Sequence, residues 1–116
     1  MKINEITNYQ DIMLGISQFL DDFKKSKNKK DLIADEPHGI ENKVTASLTA
    51  SIVHKLANDN NIEIPQWVYK KSYILQNPTY AHDTKNTDYQ NFLKKTSFPE
   101  FTSRNLFYGD NVIERK

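Results

Sequence analysis

Few residues in this chain have types suited to catalysis, and their spacing argues against it. Three histidines, His38, His54 and His82, lie sixteen and twenty-eight residues apart. A zinc-dependent hydrolase often sets two histidines four residues apart, so that one helix face carries both ligands. That spacing does not occur, and the lack of Cys removes thiolate metal sites and disulfides. No metal and no cofactor is expected. Serines are present, but no Gly-x-Ser-x-Gly elbow surrounds one. No Gly-rich phosphate loop occurs, in a chain with only three glycines. Asp35, Glu36 and Glu100 could make a carboxylate pair, yet each stands at a helix boundary, where acids ordinarily cap or pair. No nucleophile, base and orienting group share a pattern. The sequence predicts a non-enzymatic protein.

Recognition chemistry is better represented. Arg104-Asn105 is the most informative polar pair. An Arg between Phe101 and Leu106-Phe107 is partly desolvated and needs a carboxylate. The expectation is an ion pair of Arg104 with Asp35 or Glu36, tying the C-terminal segment to the turn before the longest helix. The functional alternative is that Arg104 faces an acidic or phosphate group of a partner. Asn105 should bond backbone groups in the adjoining turn. Trp67, with Tyr69, Tyr73 and Tyr80, forms a candidate interface; Trp67 leans toward the core, Tyr69 and Tyr73 toward the surface. Residues 24–30 hold Lys24, Lys25, Lys27, Lys29 and Lys30, a candidate phosphate contact. The competing reading of that run is a solvated helix end and linker.

Charge balance bears on the partner. Sixteen basic and fifteen acidic residues leave a net charge of +1, and only Arg104 and Arg115 are Arg. Nucleic-acid surfaces tend to recruit the Arg fork and a positive field, so this balance argues against one. No run approaches the roughly 18 apolar residues of a membrane helix, and the N-terminus has no long apolar region. A cytoplasmic protein without membrane contact is expected.

The elements that must position these residues follow from apolar spacing. Residues 40–57, IENKVTASLTASIVHKLA, contain neither Gly nor Pro. On a helical wheel Val44, Leu48, Ile52 and Leu56 form one stripe; Ala46, Ala50, Val53 and Ala57 form another. Lys43, Ser47, Ser51, His54, Lys55 and Asn58 share the polar face. Two stripes predict packing on more than one side, with the alanines admitting close approach. Residues 3–23 carry apolar residues at three- and four-residue steps, predicting a first helix capped by Thr7 or Asn8, with Gly15 inside at a point of close approach. Residues 84–96 predict another helix, with Tyr89, Phe92 and Leu93 inward. Pro65 and Pro99 fit the first positions of short helical turns. Residues 110–115 predict a last short helix capped by Asp110. Strand signals are weak. The expected architecture is all-α: one compact domain over 1–116, a helical bundle around a central buried helix at about 40–58. Principal helices fall near 6–25, 40–58 and 84–96, with short helical turns and an irregular C-terminal half. Residues 1–30 form the N-terminal helix and basic linker, and 31–116 the core. At 37% hydrophobic and 11% aromatic, the core is modest and finished by large rings.

Five landmarks stand in order: DEP at 35–37, ASLTASIVHKLA at 46–57, IPQWV at 64–68, a Leu-x-x-Pro at 75–78, and FPEFTSRNLF at 98–107. In that order the chain resembles a family of small bacterial helical proteins. The family has an acidic-Pro step, an alanine-rich helix, P-x-W, L-x-x-P-aromatic, and an S-P-x-x-F-x-x-R-N-x-F ending. Some members carry an upstream helix-turn-helix domain, and some resemble antitoxin-like partners encoded beside nucleotidyltransferase-type toxins. The likeness covers most of 31–116. It departs at Phe98, where a small residue is common, and at Tyr80, where Trp or Phe is usual. No helix-turn-helix precedes Asp31, so DNA binding by longer members does not carry over. The resemblance implies a helical fold and a protein partner, toxin-like or a second copy. The expected function is a non-enzymatic protein-interaction module, and the resemblance implies an antitoxin-like partner of a nucleotidyltransferase-type toxin; the alternative is a nucleic-acid accessory using residues 24–30.

Overall fold

The structure is a computed structural model and describes residues 1–113. The predicted first helix is two elements. Residues Ile3–Asn8 form a 3₁₀ turn, and helix α1 runs Ile12–Lys25. The cap is Asp11, whose side chain accepts from the Met13 N–H at 3.0 Å, in place of Thr7 or Asn8. Gly15 explains the break. A Cβ there would lie 2.9 Å from the Ile6 carbonyl oxygen, so the 3₁₀ turn folds back onto α1 only because Gly15 has no side chain. Ile3 and Ile6 are buried on this seam, beside Ile16, Phe19, Leu20 and Phe23 of α1.

Part of the basic stretch is also helical. Helix α2, Lys29–Ile33, buries Ile33 completely. The chain turns at Gly39, which takes a left-handed φ of 86°, and Asn42 caps α3 by accepting from the Thr45 N–H at 3.0 Å. Helix α3 is Lys43–Asp59. Its end is a Schellman turn: Asn61 is left-handed, the Ile62 N–H donates to Ala57 O at 2.9 Å, and the Asn61 N–H to Asn58 O.

Both apolar stripes of α3 contribute buried residues, among them Leu48, Ile52, Leu56, Ala50, Val53 and Ala57; Ala46 and Val44 are partly buried. The predicted polar face needs correction. Ser47 and Ser51 are fully buried, so residues 47–53 are covered without interruption. Ser51 and Thr49 are accommodated by bonding their own helix: Ser51 Oγ donates to Ser47 O and Thr49 Oγ1 to Thr45 O, both at 2.8 Å, whereas Ser47 Oγ is enclosed without a hydrogen-bond partner among the described residues.

The second half uses short pieces. Pro65 leads into a 3₁₀ turn, Gln66–Tyr69, followed by another, Lys71–Tyr73. Strand β1, Thr79–Tyr80, pairs in parallel with β2, Leu106–Phe107, Thr79 standing opposite Leu106. Between them lie helix α4, Thr87–Thr96, capped by Asn86, and helix α5, Pro99–Thr102, with proline at its first turn. In α4 only Leu93 is buried. Tyr89 and Phe92, predicted inward, are 37% and 56% exposed and stack on each other. The helix lies at the periphery, and Leu93 alone of its side chains is buried. The predicted helix at 110–115 is absent over 110–113, which form bends and turns; residues 114–116 lie outside the described residues. The described chain is mostly helical.

Candidate functional site

Arg104 follows α5 and is 4% exposed. Its Nη2 donates to Val68 O at 2.8 Å, and its Nη1 donates to Glu100 O at 2.6 Å and lies 3.2 Å from His54 Nδ1. The predicted ion pair does not form: among the described residues, neither Asp35 nor Glu36 makes a salt bridge with Arg104. Asp35 is exposed. Glu36 accepts from Lys70 Nζ at 2.6 Å and takes a short hydrogen bond from the Tyr73 hydroxyl. Burial pushes the Glu36 carboxyl up, but the bonds from Lys70 and Tyr73 outweigh it and hold the group below its ordinary range. Burial first, then the bond to Glu36, raises the Tyr73 phenol. Lys70 stands two residues from Val68, so one short segment serves Glu36 with a cation and Arg104 with a carbonyl.

Arg104 and Asn105 together join three distant segments. Arg104 O accepts from the Leu75 N–H at 3.1 Å, and Asn105 O from the Thr79 N–H at 2.8 Å. Asn105 Nδ2 donates to Leu75 O at 2.6 Å, from a left-handed backbone with φ 64°. The IPQWV, Leu-x-x-Pro and R-N landmarks therefore meet at one place.

His54 is half-buried and projects from α3 to the same place. The guanidinium can only donate, so His54 Nδ1 accepts and the ring is neutral, with its proton on Nε2. Burial lowers the His54 pKa first, and the Arg104 charge lowers it further. A free lone pair, which a general base needs, is thereby occupied. Glu100 Oε2 accepts from Asn58 Nδ2 at 2.8 Å, while Oε1 is buried and meets no hydrogen-bond donor among the described residues. Tyr69 sets its ring edge-on to His54 at 5.4 Å. Tyr69 and Ile74 are 53% and 49% exposed. With Lys70 and Ser103 they wall an open hollow lined by His54, Val68 and Arg104.

No family model, curated protein or solved structure matches the chain.

Trp67 is internal: it is 8% exposed, its Nε1–H donates to Ile33 O at 3.1 Å, and its ring meets Tyr73 edge-on. Tyr73, predicted at the surface, is buried, because its hydroxyl serves Glu36. Tyr80 is partly buried and stacks on Phe107 across the strand pair. Of the four aromatic residues, Tyr69 is the one that stands more than half exposed. In the basic run Lys24, Lys25, Lys27 and Lys30 are exposed, but Lys29 turns back to Ser26 O at 2.6 Å and lies over the Phe23 ring. Lys30 lies 3.6 Å from Glu63. His38 and His82 are exposed in separate turns. No group of three potential metal ligands occurs among the described residues, and no helix there is long and apolar enough to cross a membrane.

Sequence reasoning missed Ile74. It sits beside Leu75 in a short apolar run, and only the bonding of Leu75 to Arg104 and Asn105 decides which of the two turns inward.

Proposed function

We propose that this chain is a non-enzymatic protein-interaction module, an antitoxin-like partner of a nucleotidyltransferase-type toxin. In this reading the described helices form a bundle around the helix at about 40–58, which serves as a rigid support. The module works by occlusion, covering a partner's surface without chemistry of its own. The observation that carries the reading is the hollow at Arg104, walled by the half-exposed side chains of Tyr69 and Ile74. Aromatic and Arg side chains in a partly desolvated pocket are the usual centre of a protein interface. The identity of the partner rests on the motif order from 35 to 107.

Co-expression with the product of the adjacent gene tests this. A complex of fixed stoichiometry by light scattering is the expected result. If the two proteins elute separately at micromolar concentration, the antitoxin-like reading fails. A nucleic-acid accessory would instead show binding that falls steeply with salt and weakens when Lys24, Lys25 and Lys27 become Gln. With sixteen basic residues set against fifteen acidic ones, that result is not expected.

A further inference from the structure

We infer that the hollow at Arg104 is a seat for one carboxylate side chain, an Asp or Glu carried by a partner protein beside an apolar residue. The inference rests on the interaction-module reading and names the contact chemistry at its site.

A guanidinium has five N–H donors. Arg104 uses two on Nη1, for Glu100 O and His54 Nδ1, and one on Nη2, for Val68 O. The Nε–H and the second Nη2–H meet no acceptor among the described residues. Nε and Nη2 make one edge of the planar group, the edge that grips a carboxylate side-on through two parallel hydrogen bonds. An interior cation with donors unused is costly unless an anion completes it. Three protein acceptors fix the plane of the group in advance, so little ordering remains when an anion arrives.

Charge and shape select the anion. Lys70, the other cation at the hollow, is already neutralised by Glu36 at 2.6 Å. Glu100 is turned to Asn58, and its carboxylate nearby disfavours a second added charge. Formal charges around the hollow therefore balance, with Lys70 against Glu36 and Arg104 near Glu100, and a singly charged carboxylate adds less repulsion there than a phosphate dianion. Tyr69 and Ile74 on the wall supply apolar surface that a bare anion leaves wet and an apolar neighbour covers. The complementary segment is therefore acidic and apolar together.

The test is an NMR titration of the ¹⁵N-labelled full chain with 3-phenylpropionate, a carboxylate tethered to a ring. Acetate and inorganic phosphate are compared at constant ionic strength. Saturable movement of the Arg104 Nε–H resonance is expected, with acetate and phosphate each weaker by about tenfold or more. Ile74→Ala and Tyr69→Ala, at positions about half exposed and with melting temperatures checked, should each weaken 3-phenylpropionate by about threefold or more. No saturable shift at Nε–H overturns the inference. Phosphate binding more tightly than 3-phenylpropionate overturns it too. In the co-expressed complex, retention of full affinity by both alanine variants overturns this contact and leaves the module reading intact. Probe binding without any protein complex overturns the named occupant and the module reading alike.

Discussion

Replacing Arg104 by alanine measures how much the fold depends on one side chain. The change removes charged donors from Val68 O and Glu100 O, and a third from His54 Nδ1. Hydrogen bonds to a charged group contribute about 1.5–3 kcal/mol each, so the two carbonyl bonds account for about 3–6 kcal/mol. Relief from enclosing a cation that lacks a carboxylate returns part of that. A net loss of about 3 kcal/mol is expected, equivalent to a fall of about 10–15 °C in Tm for a domain of this size. Arg104→Lys retains the charge but not the fork, and cannot reach Val68 O and Glu100 O together. It should lose most of the same stability. Urea denaturation followed by circular dichroism gives the number, with an unchanged m-value showing that the unfolding reaction is the same. A loss below about 1 kcal/mol for Arg104→Ala would refute the reasoning, because the buried Val68 carbonyl left bare, with the bonds to Glu100 O and His54 also lost, cannot cost so little.

Three further outcomes are expected. Gly15→Ala gains about 1 kcal/mol of helix propensity, yet places a Cβ 2.9 Å from the Ile6 carbonyl. It should therefore destabilise by about 1–2 kcal/mol, and a stabilised variant in urea titration would contradict the seam. Asn105→Ala loses the bond to Leu75 O and strains a residue at φ 64°, for about 2–3 kcal/mol; Asn105→Gly should recover about 1 kcal/mol of that. His54 is held neutral in the folded chain, its pKa lowered from the ordinary 6.5 by burial and by Arg104. The unfolded chain takes up a proton there first, so stability is full above pH 6.5 and declines as pH falls below it toward the depressed folded value. His54→Asn should abolish that decline just below pH 6.5, above the range where Glu36 and Glu100 take up protons. A wild-type profile that is flat over this interval would contradict the neutral tautomer.

What the sequence disclosed depended on whether a rule was local. Helix α3, with its two stripes and the run of asparagines after it, could be read because a 3.6-residue period needs no knowledge of the neighbours. The break before Ile12 could not, since Ile6 and Tyr9 keep helical spacing through a turn that only the approach to Gly15 forces. Ser47 and Ser51 read as polar, but the Ser51 hydroxyl bonds its own helix and is nearly apolar to its surroundings, while Ser47 is enclosed with its hydroxyl unpaired among the described residues. Tyr89 and Phe92 have the composition of a core face and lie outside it, because period alone does not say whether anything covers that face. At the site, Arg104 was legible as partly desolvated and Asn105 as a backbone binder. The partners of Arg104 were not, since two of its three acceptors are main-chain carbonyls, which every residue carries. Glu36 attracted attention as an acid before proline; Lys70 claimed it from thirty-four residues away.

The fastening of residues 68–79 by Arg104 and Asn105 bears on synthesis. Val68, Leu75 and Thr79 all wait for hydrogen-bond partners that a ribosome adds later. While the nascent chain stops short of residue 105, the segments after α3 have a hydrophobic surface to rest on but no latch. Burial of Trp67 and Tyr73 should then be completed in a late step, once the tail has left the exit tunnel. Until that moment the greasy flank of α3 remains open to a chaperone.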